Sequence, residues 1–307
     1  MAHTVIITGG TGLIGKALCK ALLEKGYHVI ILTRNPPAQS ATGNISFATW
    51  NPDQQIIDKE VISSADYIIH LAGAGVADKR WTKKRKIEII KSRIDSSKLL
   101  VDSLRTIPNK VKAVISASAI GWYGEDPTNP NEKPFTEDSP ADNGFLGKTC
   151  KHWEESIEAV TESGKRLVKL RIGIVLSKDG GAMKEFLKPL KFGVAAILGN
   201  GKQIISWIHI DDLVDMFIAA LENDQLRGAY NGVAPNPVSN KTLTLQLAKT
   251  RNKFFIPMYV PTFILKIMLG EMSVEILKST TVSAEKILKS GFQFKHPSIE
   301  IAVENSL

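Results

Sequence analysis

The sequence predicts an α/β protein: a doubly wound parallel sheet with helices on both faces and a smaller C-terminal substrate lobe. Three observations lead there. The chain opens on an apolar run that breaks into glycines, VIITGGTGLIG from Val5 to Gly15, and an amphipathic helix with Leu18, Ala21 and Leu22 follows. Strand-like and helix-like patches then alternate as far as Ile172. Beyond Gly180 that rhythm gives way to glycine turns (Gly180-Gly181, Gly199-Asn200-Gly201) and segments marked by Pro235, Pro237, Pro257 and Pro261.

In chain order, strands are expected over residues 4–8, 28–32, 67–71, 112–116 and 167–172, with helical patterns around 14–25, 83–105 and 144–164. Near-continuous apolar strands joined by helices require a parallel sheet covered on both faces. Right-handed crossovers then make it Rossmann-like. Residues 1–179 are expected to form the dinucleotide-binding domain. The segment DDLVDMFIAALE, from Asp211 to Glu222, reads as a helix capped by an aspartate, and it brings residues 206–232 back to that domain. Residues 180–205 and 233–307 are left for the substrate-binding lobe.

A chain of 307 residues with 43% hydrophobic content suits this plan. Part of the net charge of +8 sits in one run, Lys79-Arg80-Trp81-Thr82-Lys83-Lys84-Arg85-Lys86. The run reads as a solvated helix face rather than a nucleic-acid patch, and its field would also favour an anionic substrate or cofactor. Cys19 and Cys150 have neither metal-site nor disulfide spacing and read as small buried residues of a reducing compartment. No signal peptide is expected, because a strand begins within a few residues of the start. The apolar segment from Phe254 to Met272 is interrupted by Pro257, Pro261, Lys266 and Gly270, too often for a membrane span. These features point to a cytoplasmic protein with a small-molecule substrate and no metal, nucleic-acid or membrane partner. A homodimer is compatible with them but nothing demands one.

Gly9, Gly12 and Gly15 carry the first chemical signal. A buried strand turning tightly into a helix leaves N–H groups pointing outward, where a pyrophosphate can sit if no Cβ blocks it. The second strand ends in Leu32-Thr33-Arg34-Asn35. An acidic residue there would accept from a ribose 2′-OH and favour NAD, whereas a hydroxyl beside a guanidinium suits a 2′-phosphate, so NADP(H) is expected. A surface arginine closing a strand is the plainer alternative. The third strand runs into His70-Leu71-Ala72-Gly73-Ala74-Gly75, small residues that let the backbone approach a ligand.

These motifs are followed in order by SASAIGWYG (Ser116–Gly124), FTEDSP (Phe135–Pro140) and SWIHIDDL (Ser206–Leu213). Over essentially its full length the chain resembles an extended short-chain dehydrogenase/reductase. More narrowly it looks like the atypical YfcH-like branch of NAD-dependent epimerase/dehydratase-like proteins. The resemblance implies a cofactor diphosphate over Gly9, Thr11, Gly12, Leu13, Ile14 and Gly15. It implies the 2′-phosphate at Thr33 and Arg34, and the adenosine side near Leu71, Ala72 and Gly73. Glu88 and Arg93 would face the cofactor and Val175 would border the nicotinamide end. Glu88 and Arg93 are five apart, not quite one helical face, so a surface ion pair is the alternative for them.

Ordinary members of the resembled family use a serine and a Tyr-x-x-x-Lys pair, the lysine lowering the tyrosine pKa so that the phenol exchanges a proton as hydride moves. Ser118 fits the serine. With Glu154 as register mark, Leu146 and Cys150 stand where the tyrosine and lysine should be, and no Tyr-x-x-x-Lys occurs there. Tyr123 is the nearest replacement as proton donor, a packed aromatic being the alternative. Cys150 would line the pocket rather than attack. His209 and Asp212 invite an acid–base role, but an aspartate capping the next helix is preferred, and Arg171 is placed to steady a phosphate or substrate. Two functions follow. One is an NADP(H)-dependent oxidoreductase or epimerase-like enzyme acting on a small carbonyl or sugar-nucleotide-like substrate. The other is a non-catalytic NADP(H)-binding redox sensor.

Overall fold

Val5, Ile6 and Ile7 point alternately to the two faces of a strand, and all three are fully buried, so the first strand is covered on both sides. The computed structural model describes residues 3–37, 41–129 and 131–307. In chain order the first half supplies β1 (Thr4–Thr8), α1 (Leu13–Glu24), β2 (His28–Thr33), β3 (Ile45–Asn51), β4 (Tyr67–His70), α2 (Lys83–Thr106), β5 (Ala113–Ala119), α3 (Phe145–Glu158) and β6 (Arg166–Ile172). Then come β7 (Ile174–Ser177), β8 (Val194–Leu198), β9 (Trp207–His209), α4 (Ile210–Glu222), β10 (Gly228–Gly232), β11 (Ile256–Val260), α5 (Thr262–Leu269) and α6 (Ser273–Leu277).

The main sheet runs β10-β6-β5-β4-β1-β2-β3 with every neighbouring pair parallel, and short antiparallel pieces, Ala41–Thr42 and Ile56–Ile57, pair with β3. From β1 the chain winds outward in both directions, which puts a topological switch point between β1 and β4. One face buries Val5 and Ile7 against Leu18 and Leu22 of α1 and Leu213 and Phe217 of α4. The other buries Ile6, Ile30 and Ile68 against Leu100 and Leu104 of α2. This is the α/β doubly wound architecture that the alternating pattern predicts.

All five expected strands form, with boundaries shifted by a few residues, and two further strands join the sheet. β3 (ISFATWN) lies next to the sheet edge with Ser46 and Thr49 interleaved among its apolar residues, so it lacks the continuous run that marks a central strand. β10 (GAYNG) has the composition of a turn, yet Tyr230, Asn231 and Gly232 are buried beside β6.

In the C-terminal half β7 pairs with β9, and β8 pairs with β11, both parallel and outside the main sheet. The expected aspartate cap of α4 is corrected. The ring of His209 is the cap, its Nδ1 accepting from the Asp211 N–H at 3.2 Å. Asp212 is fully buried and accepts instead from the backbone N–H groups of Lys295 (2.7 Å) and His296 (3.0 Å). Burial pushes its carboxyl up, against the pull of those two donors and the His296 ring. Asp212→Ala leaves two N–H groups without an acceptor and is expected to lower the unfolding free energy by about 2–4 kcal/mol. Urea titration followed by circular dichroism measures this, and an unchanged midpoint would remove the clamp.

Candidate functional site

The glycine corner divides into packing positions and one open position. Gly9 sits at φ +69°, where only glycine is unstrained, and a Cβ there would lie 3.0 Å from the Leu71 carbonyl. A Cβ on Gly10 would meet the Ile31 side chain at 2.9 Å, and one on Gly15 would overlap the Gly9 carbonyl. These three let α1 press onto β1, β2 and β4. Gly12 differs. Its φ of −76° suits any residue, a Cβ would touch only the Gly9 carbonyl at 3.3 Å, and Thr11 and Gly12 are exposed. Gly12 is the N-cap of α1 and has no side chain to cap it, so the first-turn amides beside Leu13 and Ile14 face outward with the positive end of the helix dipole. A diphosphate fits this cradle.

The opposite wall is built by a device that the sequence analysis did not find. Thr8 Oγ1 accepts from the Leu71 N–H at 3.0 Å and the Ala72 N–H at 3.1 Å, which commits its own proton to His70 Nδ1 at 2.8 Å. His70 Nε2 then carries the ring proton toward Ser97 Oγ at 3.2 Å. Leu71, Ala72 and Gly73 are thereby held at the end of β4, facing the Gly9 corner across the switch point. Full burial drives the His70 imidazole down to about 3. A ring held neutral in the fold and free to protonate at about 6.5 when unfolded contributes stability that is complete above 6.5 and lost as pH falls toward 3. His70→Gln, which keeps hydrogen-bonding atoms but cannot titrate, is expected to flatten the fall in urea midpoint between those pH values. Equal slopes in both proteins would contradict this account of the clamp.

Thr33 ends β2 half-buried, and the exposed Arg34 has no ion-pair partner among the described residues, leaving its guanidinium free at the end of β2. Arg93 comes against Gly73: its guanidinium carbon would lie 3.2 Å from a Cβ there, and Nη1 donates to the carbonyls of Ala74 (3.0 Å) and Ile89 (2.9 Å). Glu88 does not join it. Five positions turn a helix by about 140° beyond one full turn, and Glu88 is instead held on the solvent side by Arg85 at 2.8 Å, which keeps its carboxyl below the usual range. Val175 lies in β7, with its carbonyl and the Leu13 side chain both near Gly181, at the junction between the glycine corner and the lobe.

The expected catalytic residues lie in a buried hydrogen-bonded network. Arg171 and Glu154, both buried, form a two-pronged ion pair, Nε–Oε1 at 2.8 Å and Nη2–Oε2 at 3.0 Å. Ser118 is buried and donates to the same Glu154 Oε1 at 2.7 Å. Tyr123 is fully buried, donates to Asn231 Oδ1 at 2.6 Å, accepts from Arg171 Nη1 at 3.0 Å and stacks on Phe135. Burial pushes its phenol up to about 12 despite the nearby guanidinium. Both hydroxyl protons are thus directed at protein oxygens, and the Arg171 guanidinium is paired in the interior. What α3 presents beside the end of β5 is apolar. A Cβ on Gly121 would meet Leu146 at 3.1 Å and the Cys150 sulfur at 3.6 Å. Burial pushes the Cys150 thiol up to about 12. Leu146 adjoins a cluster of Trp81, Phe145, Leu269 and Met272.

A parallel sheet whose winding order reverses beside a glycine-lined, uncapped helix N-terminus defines a Rossmann-type NAD(P)-binding protein. Residues 5–231 match the profile of the NAD dependent epimerase/dehydratase family, and the chain belongs to that family. Residues 260–306 match a second profile, a domain of unknown function, DUF1731. The chain is 35% identical over 301 residues to the epimerase family protein YfhF of Bacillus subtilis, covering 97% of this chain and 96% of that protein. It is similar to the solved human epimerase family protein SDR39U1 with NADPH, at 27% identity and a TM-score of 0.87, covering 99% of this chain and 98% of that one. A nucleoside-diphosphate sugar epimerase from Corynebacterium glutamicum is 30% identical with a TM-score of 0.79, and all of this chain matches 58% of it.

The buried network makes opposite demands on its members. Glu154→Ala strands Arg171 in the interior and is expected to cost about 3–5 kcal/mol of stability, while Ser118→Ala costs about 1 kcal/mol and leaves NADPH affinity within twofold. Chemical denaturation with a parallel NADPH fluorescence titration measures both, and a large affinity loss in Ser118→Ala would return the serine to the cleft.

Proposed function

We propose that this protein binds NADP(H) in a cleft whose floor carries no protein proton relay, so that cofactor occupancy, not general carbonyl reduction, is its activity. Bound there, the cofactor supplies a hydride-transferring nicotinamide. The amides around Gly12, Leu13 and Ile14 would hold the diphosphate, Thr33 and Arg34 the 2′-phosphate, and Leu71 to Gly73 the adenosine side. The likeness to the human protein solved with NADPH supports the choice of NADP(H). Full-length similarity to the epimerase family proteins fits the narrower YfcH-like branch. Residues 180–205 and 233–307 would serve as the ligand-facing lobe.

What carries the reading is the pair Leu146 and Cys150, which the family resemblance puts at the tyrosine and lysine positions and which pack beside Gly121, with Ser118 and Tyr123 tied into the Arg171–Glu154 network. A second reading, an oxidoreductase or epimerase-like enzyme on a sugar-nucleotide-like substrate, is favoured by the similarity to the Corynebacterium epimerase.

Titration of the purified chain with NADPH, NADH and NADP distinguishes the parts of this reading. Gly12→Ala places a methyl over the open amides, 3.3 Å from the Gly9 carbonyl, and is expected to weaken NADPH at least tenfold while the circular dichroism spectrum keeps its folded shape. Arg34→Ala is expected to weaken NADPH about tenfold and NADH hardly at all, because only the former carries the 2′-phosphate. Equal losses for both would remove the NADP assignment. Incubation of the NADPH complex with ketones, aldehydes and UDP- or dTDP-sugars is expected to leave its absorbance unchanged. Turnover with any of them would overturn the relay-free reading in favour of the second.

A further inference from the structure

The lobe carries an apolar surface that the cofactor site does not use. Phe192 and Phe254 are 87% and 84% exposed. They are brought side by side because the Ile256 N–H donates to the Gly193 carbonyl at 2.8 Å. From there β11 runs along β8 with Ile256 opposite Val194 and Met258 opposite Ala196, and both Ile256 and Met258 are more than half exposed. Among the described residues β11 has no partner on its other edge. The chain turns at Pro261 into α5, where Phe263, Ile264, Ile267 and Met268 form a single exposed stripe at helical spacing while Leu265 points inward. Exposed apolar area of this kind marks an interaction surface.

Charge identifies what covers it. From Gln225 to Gly270 the sequence contains no aspartate or glutamate, but it contains Arg227, Lys241, Lys249, Arg251, Lys253 and Lys266. Lys191 adjoins Phe192, Lys253 adjoins Phe254 and Lys266 lies on α5, and none of these three has an ion-pair partner among the described residues. A second copy of the chain would bring like charges together. Exposed phenylalanines with unpaired lysines next to them in the chain instead match a surface with negative headgroups above an apolar layer. We propose that this face docks the protein on an anionic lipid bilayer, with Phe192, Phe254, Phe263 and Ile267 entering the headgroup boundary and the lysines contacting phosphate. No helix among the described residues is long and apolar enough to cross a membrane. The sequence expectation of no membrane partner rested on the lack of a span, which a peripheral contact does not need.

The test is co-sedimentation of the full chain with vesicles of phosphatidylcholine alone or with about one-third phosphatidylglycerol. Binding is expected only to the anionic vesicles and is expected to weaken steeply with added salt. Phe192→Ser, Phe254→Ser, Phe263→Ser and Ile267→Ser combined remove only exposed side chains, so the circular dichroism melt should be retained while vesicle affinity drops at least tenfold. Lys191→Gln, Lys253→Gln and Lys266→Gln should each weaken it about fivefold. Absence of binding to anionic vesicles would overturn the proposal. So would binding that follows the lysines but ignores the apolar set, which is charge attraction alone. A dimer in light scattering that the apolar variant converts to monomer would assign the face to a second copy, also against the proposal.

Discussion

The contact on which the site depends is the one between two backbones at the switch point. Gly9 turns out of β1 with its α-carbon against the Leu71 carbonyl, and the Thr8 hydroxyl pins the two following amides of that opposite strand. Because both strands run parallel from the same end of the sheet, their C-terminal tips could splay. The threonine and the buried neutral histidine behind it prevent that. The same closeness forces α1 to start abruptly, with a glycine in place of a capping side chain, and so leaves the outward amides that define the corner. Binding chemistry here is a by-product of how tightly two strands and one helix are pressed together.

Across the cleft a different solution has been adopted. Glu154, Arg171, Ser118, Tyr123 and Asn231 form one hydrogen-bonded interior network, and Glu137 joins it through its carbonyl to Arg171 and its carboxylate to the Asn231 N–H. A buried ion pair of this kind is weak evidence for stability by itself, since desolvation opposes the attraction. It does specify geometry. It fixes β5, β6, β10 and α3 relative to one another. Beside the end of β5, α3 presents Leu146 and the buried Cys150 thiol.

The fold was legible in the sequence wherever a strand was continuous and apolar, because periodicity reports burial directly. It was illegible in β3 and β10, whose residues are strand-like only because a neighbour pairs with them. The glycine corner was legible as a tight strand-to-helix turn, but its glycines looked equivalent. Only the positions of Leu71, Ile31 and the Gly9–Gly10 backbone show that Gly9, Gly10 and Gly15 serve packing, whereas Gly12 is the least crowded of the four. The loss of the Tyr-x-x-x-Lys pair was visible from spacing. The fates of Ser118 and Tyr123 were not, since their partners Glu154 and Asn231 lie 36 and 108 residues away. Glu88 shows the opposite case: its five-residue offset from Arg93 already argued for the separation that the helix imposes.

Asp212 carries a consequence for the order in which this molecule can assemble. Its carboxylate sits at the start of α4, against the main sheet, yet both of its backbone donors come from a segment 83 and 84 positions later. A ribosome exposing the chain from its first residue would release β1 through α4 with a bare carboxylate at an apolar seam. That half can collapse early, but it cannot lock until translation has delivered Lys295 and His296. The nascent sheet therefore has to wait, sheltered or in exchange, for the tail that seals it.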